Sequence, residues 1–188
     1  MKVVEIEKLD REISRMAITP FNYHNSFNDK IWFQELVEFL FKEEDKIMIL
    51  GLRENDFYLD QSEIISLRKE VPELIKNIGG AIHFSQVLDN RRFNLVLTVK
   101  YFPALSNSLF TFWKYFEFFK FFTINGIEED IKAIINDEKD YFSYLGLRKI
   151  LNSNISKFLI GKTLEDNELC IDYRNDYEIN KLFQFTSR

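Results

Sequence analysis

The sequence predicts an α+β fold: a single domain over residues 1–188, in which antiparallel sheet packs against several helices. Apolar and polar residues alternate on both sides of a turn at Asp89-Asn90, which is the pattern of a central β-hairpin. Predicted helices and strands also come in clusters and do not alternate strictly. That order favours antiparallel sheet over a doubly wound parallel sheet.

The first third of the chain predicts one helix and one strand after an ambiguous start. Residues 2–9 are too brief a pattern to distinguish a strand from the start of a helix. Apolar residues then recur at helical spacing over residues 29–44. The apolar run of residues 46–52 has the length of a strand.

A second helix and the central hairpin follow. Asp60 can cap the helix, Pro72 is expected to break or restart it, and Gly79-Gly80 supplies its left-handed end. The hairpin strands are predicted at residues 81–87 and 93–102, where alternate positions of the second strand are apolar.

The segment at residues 109–122, LFTFWKYFEFFKFF, is unusually aromatic and is predicted to be one helix. Its charged residues are three apart and form a narrow stripe, so most of its circumference is apolar. The helix is either the centre of the core or an interface with another chain, such as a second copy. The residues of that interface would be Phe112, Trp113, Phe116 and Phe119.

The last third predicts two further helices and a three-stranded antiparallel meander. The helices fall at residues 127–135 and 138–151. The strands fall at residues 155–160, 168–173 and 178–185, separated by short polar turns.

The charge balance limits the partners of the protein. The chain has 25 Lys and Arg against 30 Asp and Glu, a formal net charge of −5, so it repels phosphate backbones and general nucleic-acid binding is not expected. Arg91-Arg92 is the nearest approach to a basic patch, and we interpret it as part of a solvated turn.

Several patterns indicate a cytoplasmic protein that does not span a membrane. No stretch approaches 18 uncharged apolar residues, and the first residues lack the apolar core of a secretory signal. Cys170 is the single cysteine, so no intramolecular disulfide can form. The abundance of Asn, Ile, Lys and Phe is typical of an AT-rich bacterial or phage genome.

Two short motifs resemble parts of enzyme sites, and both are better explained otherwise. Gly161-Lys162-Thr163 matches the end of a phosphate-binding loop, but the glycine needed five positions earlier is Ser156. Glu44-Asp45-Lys46 has the spacing of some metal-dependent nucleases, but such short tripeptides are common by chance and a solvated helix end is the better interpretation.

An enzyme would have to assemble its site from scattered residues such as His24, Asp56, Asp60 and His83. The two histidines are too far apart in sequence to show metal-ligand spacing. The acidic neighbours of Cys170 disfavour a thiolate, so a buried, inert cysteine is expected. We therefore predict no metal and no cofactor, and favour binding over catalysis.

Acidic residues cluster along the C-terminal strands, where they could meet a basic partner. The predicted partner-binding residues are Glu165, Asp166, Glu168, Asp172 and Asp176. The favoured hypothesis is a small acidic module that binds another protein, in the manner of an immunity protein or inhibitor that neutralises a basic toxin or nuclease. The alternatives are an enzyme with a dispersed site and a homo-oligomeric structural component.

Overall fold

An antiparallel sheet with helices against both of its faces confirms the predicted α+β class. The computed structural model describes residues 2–21, 27–54, 61–88, 92–124, 144–152, 155–162 and 168–177, together with Leu182, Phe183 and Phe185. Within these ranges the strands are β1 (Val3–Lys8), β2 (Ile13–Thr19), β3 (Lys46–Glu54), β4 (Ala81–Leu88), β5 (Arg92–Lys100), β6 (Phe118–Thr123), β7 (Phe158–Lys162) and β8 (Leu169–Arg174).

The strands lie in the spatial order β1-β2-β8-β7-β6-β3-β5-β4, and every neighbouring pair is antiparallel. The N-terminal hairpin of β1 and β2 therefore adds to the C-terminal hairpin of β7 and β8. The helices of the described ranges are α1 (Phe27–Leu40), α2 (Gln61–Asn77), α3 (Leu105–Tyr115) and α4 (Tyr144–Asn152).

The first face of the sheet holds the larger core, under α1, α2 and α3. At its centre, the ring of Trp113 lies 5.1 Å from that of Phe21 and 5.6 Å from that of Phe33, in edge-to-face contact. Aromatic pairs in this geometry add about 0.5–1.5 kcal/mol to the burial of their area. This face accounts for much of the aromatic content of the sequence.

The second face of the sheet carries a smaller apolar core around α4. Met48, Leu50 and Phe122 project from the central strands and share one cluster with Ile150 and Leu151 of the helix. Because both faces are covered at the centre, the middle strands are apolar on both sides.

The central hairpin is confirmed, since β4 and β5 pair antiparallel. The predicted end of α2 is confirmed as well, because Gly79 has a φ of 66°.

The predicted break at Pro72 is wrong, because α2 continues through that residue. Val71 and Ile75 are buried on either side of the proline, and such packing supplies most of the stability of a helix in a protein.

The single aromatic helix predicted at residues 109–122 is also wrong. Helix α3 ends at Tyr115, Phe116 is extended with a φ of −116° and a ψ of 139°, and β6 starts at Phe118. Phe121 faces the larger core and Phe122 the smaller one, so aromatic residues on both faces conceal the two-residue period of the strand.

The C-terminal region is predicted correctly in part. β7 and β8 pair as a hairpin, but Leu182, Phe183 and Phe185 are helical, which contradicts a third strand at those positions. The second neighbour of β8 is instead β2. The predicted helix at residues 127–135 lies outside the described residues, and the one at 138–151 corresponds to α4 from Tyr144 onward.

Candidate functional site

Three charged side chains from separate strands meet on the second face of the sheet. Arg15 of β2 pairs directly with Asp172 of β8 in the strand ladder. Lys120 of β6 lies across from Gly161 of β7, which in turn lies across from Cys170 of β8. Cys170 is two residues before Asp172 and on the same face of β8, so Lys120 and Asp172 are close together. The register therefore brings one carboxylate between two cations, although the residues are far apart in sequence.

The carboxylate of Asp172 accepts hydrogen bonds from both cations. Nε of Arg15 lies 2.6 Å from Oδ1 of Asp172, and the Nη2 atom of the same guanidinium lies 3.2 Å from Oδ2. Nζ of Lys120 lies 3.1 Å from the same Oδ2. The side chain of Asp172 is 1% exposed, that of Lys120 is 8% exposed and that of Arg15 is 21% exposed. We call these three residues the ion cluster.

Gly161 makes room for the ion cluster. A Cβ atom at this position would lie 2.3 Å from Cδ of Lys120 and 2.0 Å from the carbonyl oxygen of Phe119. The aliphatic part of Lys120 therefore fills the space that a side chain on β7 would need. This contact explains why the strand has a glycine in an otherwise apolar run.

Local electrostatics fix the protonation states of the site. Burial alone raises the pKa of Asp172, but the charges of Lys120 and Arg15 outweigh it and hold that pKa below its ordinary value. For Arg15, burial favours the neutral form, yet the hydrogen bond to Asp172 raises the pKa overall. Asp172 is thus an anion with both oxygens engaged by hydrogen bonds, an arrangement that ties β2, β6 and β8 together.

Cys170 lies beside the ion cluster as a buried thiol. Burial raises the pKa of Cys170 to about 12, and the cationic Lys120 offsets this only in part. Its Sγ–H donates to Oε2 of Glu168 at 3.2 Å. The thiol therefore stays protonated at neutral pH, as the sequence predicted from its acidic neighbours, and a protonated thiol is a poor nucleophile.

The five predicted partner-binding residues do not form one exposed face among the residues described. Glu165 and Asp166 lie outside the described residues, and Asp172 is buried in the ion cluster. Glu168 is half-buried before β8, whereas Asp176 lies in the turn after β8 and pairs with Arg174 at 2.6 Å. Asp172 thus acts inside the protein, and the two described others lie at opposite ends of one strand.

The aromatic residues proposed for an interface are buried within the chain itself. These are Phe112, Trp113, Phe116 and Phe119, and all belong to the larger core. Phe116 packs against Gly51, where a Cβ atom would lie 2.7 Å from its ring. Of the two roles that the sequence left open for this segment, the structure therefore shows the core.

The scattered residues of the enzyme hypothesis fall mostly outside the described ranges, which exclude His24, Asp56 and Asp60. His83 sits at an irregularity between β4 and β5, with Nε2 2.6 Å from Oγ1 of Thr98.

The two short motifs also have structural explanations. Gly161 and Lys162 lie inside β7 and not in a loop that opens a helix. In the Glu44-Asp45-Lys46 motif, Oδ2 of Asp45 accepts the backbone N–H of Lys42 at 2.7 Å, while Glu44 forms an exposed ion pair with Lys100.

The structure reveals one surface that the sequence left undecided, the outer edge of β1. This strand pairs with β2 from Val3↔Thr19 to Lys8↔Ser14, and no described strand pairs with its other side. All of its side chains except Val4 are exposed. The signal was present in the alternation of apolar and acidic residues, but the segment was too short to exclude a helix.

The side chains of β1 divide cleanly between the two faces. Val4 packs at the margin of the larger core, and Ile6, on the same face, is 49% exposed. Glu5 and Glu7 point to the opposite face, where Glu7 lies directly across from Arg15. We call the outer side of this strand, with these four side chains, the acidic edge.

Comparison of the chain with family models, curated proteins and solved structures found no match. Among the described residues, no group of three or more His, Cys, Asp or Glu side chains is arranged to hold a metal ion. Across the same ranges, none of the helices has the length and apolar character needed to cross a membrane.

Proposed function

We propose that the protein is a binding module for another protein of basic character, of the type that immunity proteins and inhibitors represent. The observation that carries this proposal is the acidic edge. The exposed carboxylates of Glu5 and Glu7 belong to a strand whose outer side pairs with no described strand. A net charge of −5 supports it, since long-range attraction steers a basic protein toward such a surface.

The charges behind the acidic edge strengthen this interpretation. Arg15 is the cation nearest to Glu7 in the strand ladder, and Asp172 already engages it. Glu5 lies across from Ala17, which has no charge. The exposed Lys8 of β1 lies on the other face of the strand, with Val4 and Ile6. On the face of Glu5 and Glu7, an approaching cation therefore meets two carboxylates and one partly exposed cation, Arg15, which Asp172 already engages.

Affinity capture from a lysate of the native host tests the proposal. The baits are the wild type, the double variant E5K/E7K on β1 and the matched double variant E70K/E73K on the exposed side of α2. Both variants change the net charge by the same amount, so they separate a local surface from overall charge. We expect a basic protein to bind the wild type and E70K/E73K, and to be lost from E5K/E7K.

High salt provides a second criterion. At about 1 M salt the screening length falls to about 3 Å, so an electrostatically steered complex should weaken strongly. Retention of the same partner by E5K/E7K would assign binding to another surface. Capture of no basic protein by the wild type would count against the proposed function itself.

A further inference from the structure

The outer edge of β1 is the edge of the sheet over the residues that the structure describes, and five of the six residues of this strand are exposed. In an antiparallel sheet, about half of the N–H and C=O groups of a strand point to each side. Those on the inner side of β1 are occupied by the full-length pairing with β2. Those on the outer side pair with no strand in the part of the chain that the structure describes, where β1 is the terminal strand of the sheet order, and such an edge can accept another chain.

We propose that β1 binds an extended segment of the partner as an additional strand, and that this segment alternates basic and apolar side chains. The proposal rests on the proposed function and specifies the mode of binding and the chemistry of the bound segment. Strand addition of this kind obtains affinity from main-chain hydrogen bonds and specificity from alternate side chains.

The alternation follows from the two faces of β1. Side chains directly opposite each other on neighbouring strands have Cβ atoms about 4.5–5.5 Å apart. Residues of the added strand opposite Glu5 and Glu7 would therefore meet carboxylates on one face. Residues at the alternate positions would meet Val4 and the half-exposed Ile6 on the other face, where an apolar side chain extends the larger core, and Lys8 ends this apolar stretch.

The same pattern disfavours a second copy of the chain as the added strand. Suppose that two copies of β1 pair antiparallel with their larger cores on the same side of the joint sheet. With this orientation the longest overlaps pair five residues of each β1, and they are the registers centred on Glu5 and on Ile6. The first places Glu5 opposite its own copy, and the second places Glu5 opposite Glu7. Either register opposes like charges, which destabilises cross-strand pairs, whereas a basic segment converts the same contacts into attraction.

The strand is also held in place before any partner arrives. Lys2 precedes β1, donates to the carbonyl oxygen of Pro20 at 2.7 Å and forms an ion pair with Asp29 of α1. Its Nζ atom also lies 4.8 Å from the ring centroid of Trp32. An edge fixed in this way loses little conformational freedom on binding, which favours affinity.

A synthetic peptide tests this inference without knowledge of the natural partner. The probe is an acetylated and amidated octapeptide of alternating lysine and valine, and its control is the same peptide N-methylated at every residue. N-methylation keeps the charge and removes the backbone N–H donors along both edges of the peptide. The full-length protein is titrated with each peptide, and amide hydrogen exchange is measured in its presence.

We expect the unmodified peptide to slow the exchange of β1 amides, and the N-methylated peptide to bind at least about tenfold more weakly. E5K/E7K should lose the interaction, while E70K/E73K should retain it. Equal binding of the two peptides, protection confined to other strands, or no binding at all would overturn strand addition.

The two proposals fail in distinguishable ways. If the captured natural partner depends on Glu5 and Glu7 but leaves the exchange of β1 amides unchanged, the binding function stands and strand addition is wrong. If the wild type captures no basic protein while the peptide still adds to β1, then β1 can accept an added strand and the proposed function is wrong.

Discussion

The ammonium of Lys120 lies 3.1 Å from Oδ2 of Asp172, and both side chains are buried between strands that are far apart in the sequence. Removing one member of such a cluster leaves an uncompensated charge inside the protein. We therefore expect the ion cluster to stabilise the protein as a complete set of three residues, because each charge offsets the cost of burying the others.

The substitution Asp172→Asn tests this expectation. It removes the buried counter-charge that Arg15 and Lys120 share, and we expect the free energy of unfolding to fall by about 3 kcal/mol, the lower end of the range for buried pairs because Arg15 is partly exposed and faces Glu7 on β1. Urea denaturation gives the value. The control is Asp176→Asn, which breaks an exposed pair with Arg174 and should cost no more than about 1 kcal/mol. Equal losses for the two variants would show that burial of the cluster is unimportant.

The pH dependence of stability provides a separate test. Because the folded-state pKa of Asp172 lies below its ordinary value, its contribution is complete above the unfolded-state pKa of about 3.9. The contribution is then lost as the pH falls through the folded-state pKa. The difference in unfolding free energy between the wild type and Asp172→Asn should therefore shrink below about pH 4. If the difference in unfolding free energy stays constant from neutral pH into this acid range, the stabilisation does not come from the ionised carboxylate of Asp172.

Gly161→Ala should be more destabilising than its small volume suggests. The new Cβ would lie 2.0 Å from a backbone oxygen of β6, so the two strands would have to separate, and we expect a loss of about 3 kcal/mol, the upper end of the usual range for overpacking. Gly79→Ala is the control, because its Cβ meets nothing within 4 Å and the cost comes from a φ of 66° alone, about 1–2 kcal/mol. Denaturant titration of both variants decides, and a smaller loss for Gly161→Ala would show that β6 and β7 adjust easily.

The fold class could be predicted because some strands have one polar face. In β5, Asn94 and Thr98 alternate with Leu95 and Leu97, so the two-residue period is visible in the sequence. In β6, Phe121 and Phe122 face different cores, and the period disappears. A strand buried on both faces cannot be distinguished from a helix by its apolar pattern alone.

The site could not be predicted because its contacts are remote in sequence. In the sequence, Asp172 resembles several other surface carboxylates. Because it lies between the apolar Ile171 and Tyr173, the two-residue period of a strand correctly places it on the face opposite to theirs. Whether that face is open to solvent at Asp172 depends on Arg15, which lies 157 positions earlier in the chain. The pairing of β2 with β8 decides this, and no local pattern in the sequence encodes it.

Cys170 should be inaccessible to thiol reagents in the folded protein. Burial raises its pKa to about 12, so almost no thiolate is present at pH 8, and the side chain is out of contact with solvent. We expect labelling by a disulfide reagent to require unfolding, with a urea midpoint that coincides with the loss of circular dichroism. Rapid labelling in the absence of urea would show that the strands around the ion cluster open locally.

The aromatic core makes a prediction that compares two phenylalanines on the same helix. Phe33 of α1 is fully buried and its ring lies 5.6 Å from that of Trp113, whereas Phe27 is 75% exposed. Phe33→Ala removes a ring from a close-packed cluster and should lower the unfolding free energy by about 3–5 kcal/mol.

Phe27→Ala removes the same group from the surface and should change that energy by no more than about 0.5 kcal/mol. Urea denaturation followed by tryptophan fluorescence measures both, because Trp113 reports directly on the cluster around Phe33. A large loss for Phe27→Ala would mean that its ring has packing partners in solution. A small loss for Phe33→Ala would mean that the neighbouring rings close the cavity, and the edge-to-face cluster would then contribute little to holding α1 and α3 on the sheet.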